Sequence, residues 1–151
     1  MNDDVASSAG ALADAGRGII RFGWFANAVF FVTAVPAAAG VDAFEGVAIV
    51  VALVLFVVGM GAFVYAFVVA ATRSANGDNV AVANLYFLQG SAPRGVQHQF
   101  LAMFSVCLLI AMGTVVWAPF GFLVPMLPLG LAGVWAARYG TFPPRLPTTR
   151  R

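Results

Sequence analysis

The sequence predicts an all-α membrane protein in which four transmembrane helices form an up-down antiparallel bundle, with both termini cytoplasmic. The composition, four long apolar runs and a one-sided distribution of arginine lead to this prediction. Of the 151 residues, 62% are hydrophobic and 9% are charged, whereas soluble domains average roughly 50% and 25%. A soluble fold of this composition would have too few polar residues to cover its surface.

Four apolar segments are long enough to cross a bilayer, whose hydrocarbon core of about 30 Å needs about 20 helical residues. The predicted spans, which together make a transmembrane domain, are 22–40, 47–71, 100–118 and 120–137. The segments predicted to lie in the cytoplasm are the N-terminal 1–21, the loop 72–99 and the C-terminal tail 138–151. Short connections after the first and third spans predict two antiparallel hairpins.

All eight arginines are predicted to lie on one side of the membrane. They flank the spans at Arg17, Arg21, Arg73, Arg94, Arg138, Arg145, Arg150 and Arg151. The connection between the first two spans contains only acidic charges, and the connection around Pro119 contains none. The positive-inside rule places the arginine-rich side in the cytoplasm. The sequence therefore predicts a multi-pass protein with its N- and C-termini inside.

A cleaved signal peptide is the competing interpretation of the first span. Two arginines precede a hydrophobic run that ends in "AVPAAAG", which resembles a cleavage site after Ala39. Cleavage would leave three spans and an outside N-terminus. Three aspartates among the first 14 residues, and the length of the hydrophobic run, argue against a signal peptide. We therefore expect the first span to be retained.

The spans offer small residues for packing and few polar groups. Ala52, Gly59 and Ala66 recur at seven-residue spacing in the second span and predict a seam for close helix packing. Asn27 in the first span is the most costly polar group to leave unpaired. It predicts an interhelical hydrogen bond worth roughly 0.5–2 kcal/mol, and contact with a polar ligand is the alternative.

Pro125 and Pro128 interrupt the fourth span and predict a helix break. Each proline removes a backbone donor and frees the carbonyl four residues earlier, which belongs to Gly121 or Val124. One interpretation is a kinked helix that serves only packing. The other is a broken helix that lines a substrate site, as in some transporters.

The sequence shows no pattern typical of a catalytic site. None of the four spans contains Asp, Glu, Lys, Arg or His, although proton relays and ion pathways usually place an ionisable residue inside the bundle. No nucleophile and base pair, phosphate-binding loop or metal-ligand set occurs. We expect no enzyme activity, no catalytic residue, no metal and no cofactor. The net charge of +2 does not indicate nucleic-acid binding.

The loop 72–99 is the predicted site of contact with a partner or with lipid. Its apolar part, "VAVANLYFLQ", predicts a short helix at the inner interface with Tyr86 grouped beside Val82. The predicted contact residues are Tyr86, Phe87, Arg94 and His98. Together with two neighbouring glutamines, Arg94 and His98 could bind a lipid phosphate or a quinone head group. The alternative is an interfacial histidine whose polar tip reaches water.

The stretches "LQGSAPRGV" and "GLAGVWAARYGTFPPR" resemble a group of small four-span membrane proteins of actinobacteria. The likeness covers roughly the second half of the chain. It implies a location in the bacterial cytoplasmic (inner) membrane and supplies no activity. The predicted function is an accessory subunit or scaffold of a membrane complex, with membrane lipid, a protein bound through the loop or a second copy as partners. The alternative is an oligomeric small-solute transporter or channel that uses the proline-broken fourth helix.

Overall fold

The computed structural model describes residues 16–142, and within this range the chain is helical with no strand. The elements are α1 (Arg17–Ala38), α2 (Asp42–Ala75), α3 (Val82–Tyr86), α4 (Arg94–Thr114), a 3₁₀ helix (Pro119–Leu123) and α5 (Met126–Tyr139). Most of the predicted N-terminal segment and C-terminal tail, at 1–15 and 143–151, lies outside the described residues.

Within residues 16–142, four helices are long and apolar enough to cross a membrane. They are α1, α2, α4 and the segment Pro119–Tyr139, which joins the 3₁₀ helix to α5. For the part of the chain that the structure describes, the prediction of an all-helical fold with four membrane-length helices is confirmed. The helix α2 has 34 residues and is therefore about 51 Å long. It extends beyond its apolar run, and the acidic residues Asp42 and Glu45 lie in its first turn, where the helix dipole favours them.

The most extensive helix contact joins α2 to α5, and glycines allow the two backbones to touch. A Cβ atom on Gly59 would lie 2.6 Å from the backbone nitrogen of Leu127, and one on Gly130 would collide with the carbonyl oxygen of Gly59. The predicted seam residues Ala52, Gly59 and Ala66 are all buried. Such close packing stabilises helix pairs in lipid, where the hydrophobic effect does not drive association.

Two side-chain hydrogen bonds fix the register between α1 and α4. Trp24 Nε1 donates to Gln99 Oε1 at 3.0 Å, and Asn27 Nδ2 donates to the Met103 carbonyl oxygen at 2.9 Å. The two bonds follow the same order along both helices, so α1 and α4 run in the same direction. The first turns of α1 therefore lie beside the first turns of α4.

Arg73 joins the C-terminal ends of α2 and α5. Its Nε atom pairs with Asp78 at 2.9 Å, and its Nη1 atom donates to the carbonyl oxygens of Ala137 and Gly140 at 3.1 Å each. The guanidinium also lies over the Phe142 ring, 4.6 Å from its centroid. The last carbonyls of a helix have no partner within the helix and carry partial negative charge, so Arg73 satisfies acceptors that α5 leaves open.

Replacing Arg73 by methionine is expected to lower the free energy of unfolding by about 2 kcal/mol. The aliphatic stem remains, while the bonds from a charged donor to two carbonyls are lost; the partly exposed pair with Asp78 adds little. Unfolding in mild detergent, followed by tryptophan fluorescence, would measure the change. Arg21→Met, at an exposed position of α1, is the control and should change stability by less than about 0.5 kcal/mol. Equal effects at the two arginines would contradict the assigned role.

Candidate functional site

The loop between α2 and α4 folds back onto the bundle through Tyr86. The Tyr86 ring stacks on Phe63 of α2, with centroids 4.3 Å apart and planes inclined by 10°. Its hydroxyl donates to the Phe63 carbonyl oxygen at 3.1 Å. A Cβ atom on Gly133 of α5 would lie 2.6 Å from the same ring. The phenol thus lies between α2 and α5, and this burial raises the pKa of Tyr86.

Tyr86 is one of the residues predicted to contact a partner or lipid, and the structure buries most of it against the bundle. Tyr86 is 4% exposed, whereas Val82, predicted to share its side of the helix, is 67% exposed. The helix α3 has only five residues, barely more than one turn. The packing of α3 against α2 and α5, rather than the hydrophobic pattern of its own sequence, determines which of its residues are buried. Phe87 remains at the surface and is 52% exposed.

Hydrogen bonds fasten the rest of the loop. Gln97 Nε2 of α4 donates to the Phe87 carbonyl oxygen at 3.1 Å. The Ser91 hydroxyl donates to the Asn84 carbonyl oxygen, and the Thr141 N–H donates to the Ser91 carbonyl oxygen at 3.1 Å. The loop is thus bonded to α4, to itself and to the segment after α5.

A cavity of about 190 Å³ lies between this loop, α4 and α5. The apolar residues that line it are Tyr86, Phe87, Leu88, Phe100, Leu101, Phe104, Pro128, Leu129 and Ala132, and the polar ones are Gln89 and Gln97. Of the lining residues, Phe87, Gln89 and Leu101 are exposed and mark the mouth, while Phe100 and Ala132 are buried in the wall. It is an apolar recess that opens at the surface of the bundle.

Leu88 forms part of the cavity wall and has an unusual backbone. Its φ angle is +57°, and among residues 16–142 no other non-glycine residue has a positive φ. Glycine normally takes this left-handed conformation after a helix. The Leu88 side chain is 1% exposed, so its burial offsets the backbone cost. Sequence reasoning missed Leu88 because nothing in a leucine indicates this conformation.

Arg94 and His98 lie in the first turns of α4, one turn from the cavity-lining Gln97 and Leu101. Both are exposed, and neither has a hydrogen bond or ion pair within the described part of the chain. The predicted cluster of Arg94, His98 and two glutamines is divided. Gln97 bonds to the loop, whereas Gln99 bonds to α1, because residues two apart on a helix point to different sides.

Asn27 lies away from the cavity, at the contact between α1 and α4. It is buried, and its amide nitrogen bonds to Met103, while its Oδ1 atom has no partner among the residues described. Asn27→Leu is expected to change the free energy of unfolding by less than about 1 kcal/mol, since membrane hydrogen bonds average about 0.6 kcal/mol. The same detergent unfolding measures this change. A loss above about 2 kcal/mol would reveal a partner on Oδ1, such as a buried water.

The structure places the two prolines at the start of α5. Pro125 directly precedes the helix, and Pro128 lies buried in its first turn, where backbone donors have no helical partner in any case. The carbonyls predicted to be freed are both bonded. Gly121 accepts from the Val124 N–H at 3.1 Å, and Val124 accepts from the Leu127 N–H at 2.8 Å.

The four membrane-length helices define the class of this protein as an α-helical protein with four candidate membrane spans. Across residues 16–142 no group of three or more His, Cys, Asp or Glu side chains could hold a metal ion. Comparison with known protein families, curated proteins and solved structures finds no match to this chain. The class therefore rests on the fold, and the resemblance to actinobacterial proteins stays a prediction.

Proposed function

We propose that this protein is a multi-pass protein of the bacterial cytoplasmic membrane that serves as an accessory subunit or scaffold of a membrane complex. The unpartnered face of α2 carries this proposal. Its valines Val50, Val54, Val57, Val64 and Val68 are each more than half exposed, while the opposite side packs against α5. Valine has a stiff χ1 angle, so an adjoining helix could pack on this face at little cost in side-chain entropy.

The positions of charged residues support an up-down antiparallel bundle with the arginine end in the cytoplasm. Arginines lie at the start of α1 and α4 and at the end of α2 and α5. The bonds from Trp24 to Gln99 and from Arg73 to Gly140 join these helix ends in pairs. The acidic Asp42 and Glu45 lie at the other end of α2. This asymmetry follows the positive-inside rule.

An oligomeric transporter that uses the break before α5 is the alternative. Broken transporter helices present unwound carbonyls to the transported ion or solute. Here the carbonyls of Gly121 and Val124 already accept backbone hydrogen bonds. The glycine contacts between α2 and α5 also leave no space between these two backbones. Both observations favour the accessory role.

A photo-cross-linking amino acid at Val57 would test the accessory role in native membranes. We expect the cross-linker to capture one discrete partner protein. When that partner carries a tag and is purified, this chain should co-purify with it. The variant Val57→Trp should no longer co-purify. The same cross-linker at Leu109 of α4, which is 72% exposed, is the matched control and should give no such product. Self-cross-linking alone, together with solute uptake by proteoliposomes, would instead establish the transporter.

The orientation gives a separate prediction. We expect a cysteine introduced at Ala39, in the α1–α2 connection, to react with a membrane-impermeant thiol reagent in intact cells. A cysteine at Asn76, after α2, should react only once the membrane is permeabilised. Both positions are exposed, and the native Cys107 is buried, so labelling reports the side of the membrane. The reverse pattern would overturn the proposed topology.

A further inference from the structure

The cavity beside the loop follows one side of α4. Gln97, Leu101 and Phe104 line it, and Arg94 lies on the same side one turn before Gln97, because positions three and four apart share a helix face. The ten residue steps from Arg94 to Phe104 cover about 15 Å along the helix axis. This length equals about half of a 30 Å hydrocarbon core, so the distance matches one leaflet.

The walls of the cavity suit hydrocarbon. Phe100, Phe104 and Leu129 contribute apolar surface, and apolar cavities do not retain water. The exposed Phe87, Leu101 and Gln89 mark the mouth, which in a membrane meets lipid. A volume of about 190 Å³ is too small for a partner helix, whose diameter is about 10 Å. An acyl chain is the occupant whose size and polarity fit.

The charge next to the mouth suits an anion. Neither α4, α5 nor the loop residues 79–93 contain an acidic side chain, and Asp78 is already paired with Arg73. The exposed guanidinium of Arg94 has no ion pair in the described range. A quinone head group is less favoured, because the amide nitrogen of Gln97 is bonded to the loop and the amide oxygen of Gln99 to Trp24.

We propose that this cavity binds an anionic phospholipid, with one acyl chain between Phe87 and Leu101 and the phosphate beside Arg94. The loop, α4 and α5 then form the walls of a lipid site. The inference rests on the proposed membrane location and is independent of the accessory role. Loss of lipid binding would leave the cross-linking result at Val57 unchanged. Absence of a cross-linked partner would likewise leave lipid binding unchanged.

Native mass spectrometry of the full chain in mild detergent would test the site. The probes are phosphatidylglycerol and phosphatidylcholine with identical acyl chains, and inorganic phosphate as an anion without a chain. We expect phosphatidylglycerol to bind about fivefold more tightly than phosphatidylcholine, the contribution of one arginine near a membrane surface. Arg94→Gln should abolish this preference, whereas Arg21→Gln, at an exposed position of α1, should keep it.

A second pair of variants tests the acyl-chain part of the site. Leu101→Trp narrows the mouth and should weaken phosphatidylglycerol binding about tenfold, whereas Leu109→Trp, on the same helix and exposed, should not. Equal binding by the two tryptophan variants, or by the two lipids, would overturn the proposal. Displacement of phosphatidylglycerol by equimolar inorganic phosphate would also overturn it. Arg94→Gln alters only an exposed side chain, so the test holds even if Leu101→Trp impairs folding.

Discussion

Gly59→Ala is expected to lower the free energy of unfolding by about 3 kcal/mol, at the upper end of the usual cost of overpacking a core. The added Cβ would lie 2.6 Å from the backbone nitrogen and 2.7 Å from the Cα of Leu127. Backbone atoms cannot rotate away as a side chain can. The helices α2 and α5 would therefore have to separate along their most extensive contact. Thermal unfolding in mild detergent would measure the loss.

Gly61→Ala is the matched control for this experiment. Gly61 lies two residues further along α2, and a Cβ atom there would meet no other atom within 4 Å. Alanine favours a helix over glycine by about 1 kcal/mol, so this variant should be as stable as the native protein or slightly more stable. If both alanine variants had the same effect, the contact between the α2 and α5 backbones would not stabilise the fold as described.

Tyr86→Ala is expected to cost about 4 kcal/mol, the range observed when a buried aromatic side chain is truncated. The substitution removes the stack on Phe63, the hydrogen bond to the Phe63 carbonyl and the contact with Gly133. It should also release the loop from the bundle. We therefore expect a protease to cut within residues 76–93 of the variant under conditions that leave the native chain intact.

Two further variants separate the contributions at this position. Tyr86→Phe keeps the ring and loses only the hydroxyl, so it should cost about 1 kcal/mol. Val82→Ala, at the exposed start of α3, should change neither stability nor proteolysis. Rapid cleavage of the Val82 variant, or a stable and protease-resistant Tyr86→Ala variant, would show that Tyr86 does not anchor the loop.

Hydropathy and the spacing of small residues predicted the parts of the fold that depend on local sequence. The four membrane-length helices follow from uninterrupted apolar runs, and the buried Ala52, Gly59 and Ala66 follow from their seven-residue spacing. The site was less predictable. Tyr86 is buried because Phe63, distant in sequence, stacks on its ring and the equally distant Gly133 leaves space for it. No pattern within the loop contains that information.

The same limit applies to three other features of the structure. Leu88 adopts a conformation typical of glycine because tertiary burial outweighs a local preference. Arg73 was predicted only as a charge that marks the cytoplasmic side, yet it also bonds to the last carbonyls of α5. Gln97 and Gln99 were grouped by proximity in the chain, although a helix directs them to different neighbours. The contacts of Arg73 and Gln99 join residues 64 and 75 positions apart in the sequence, so no local pattern contains them.

The contact between α2 and α5 also constrains the order of biogenesis. Polypeptides leave the ribosome N-terminus first, so α2 is made well before α5 has been translated. Until then the helix α5 is missing from the contacts of Gly59, Phe63 and Arg73. Tyr86 also lacks its contact with Gly133. The bundle therefore cannot complete its most extensive helix contact until its last helix has been made.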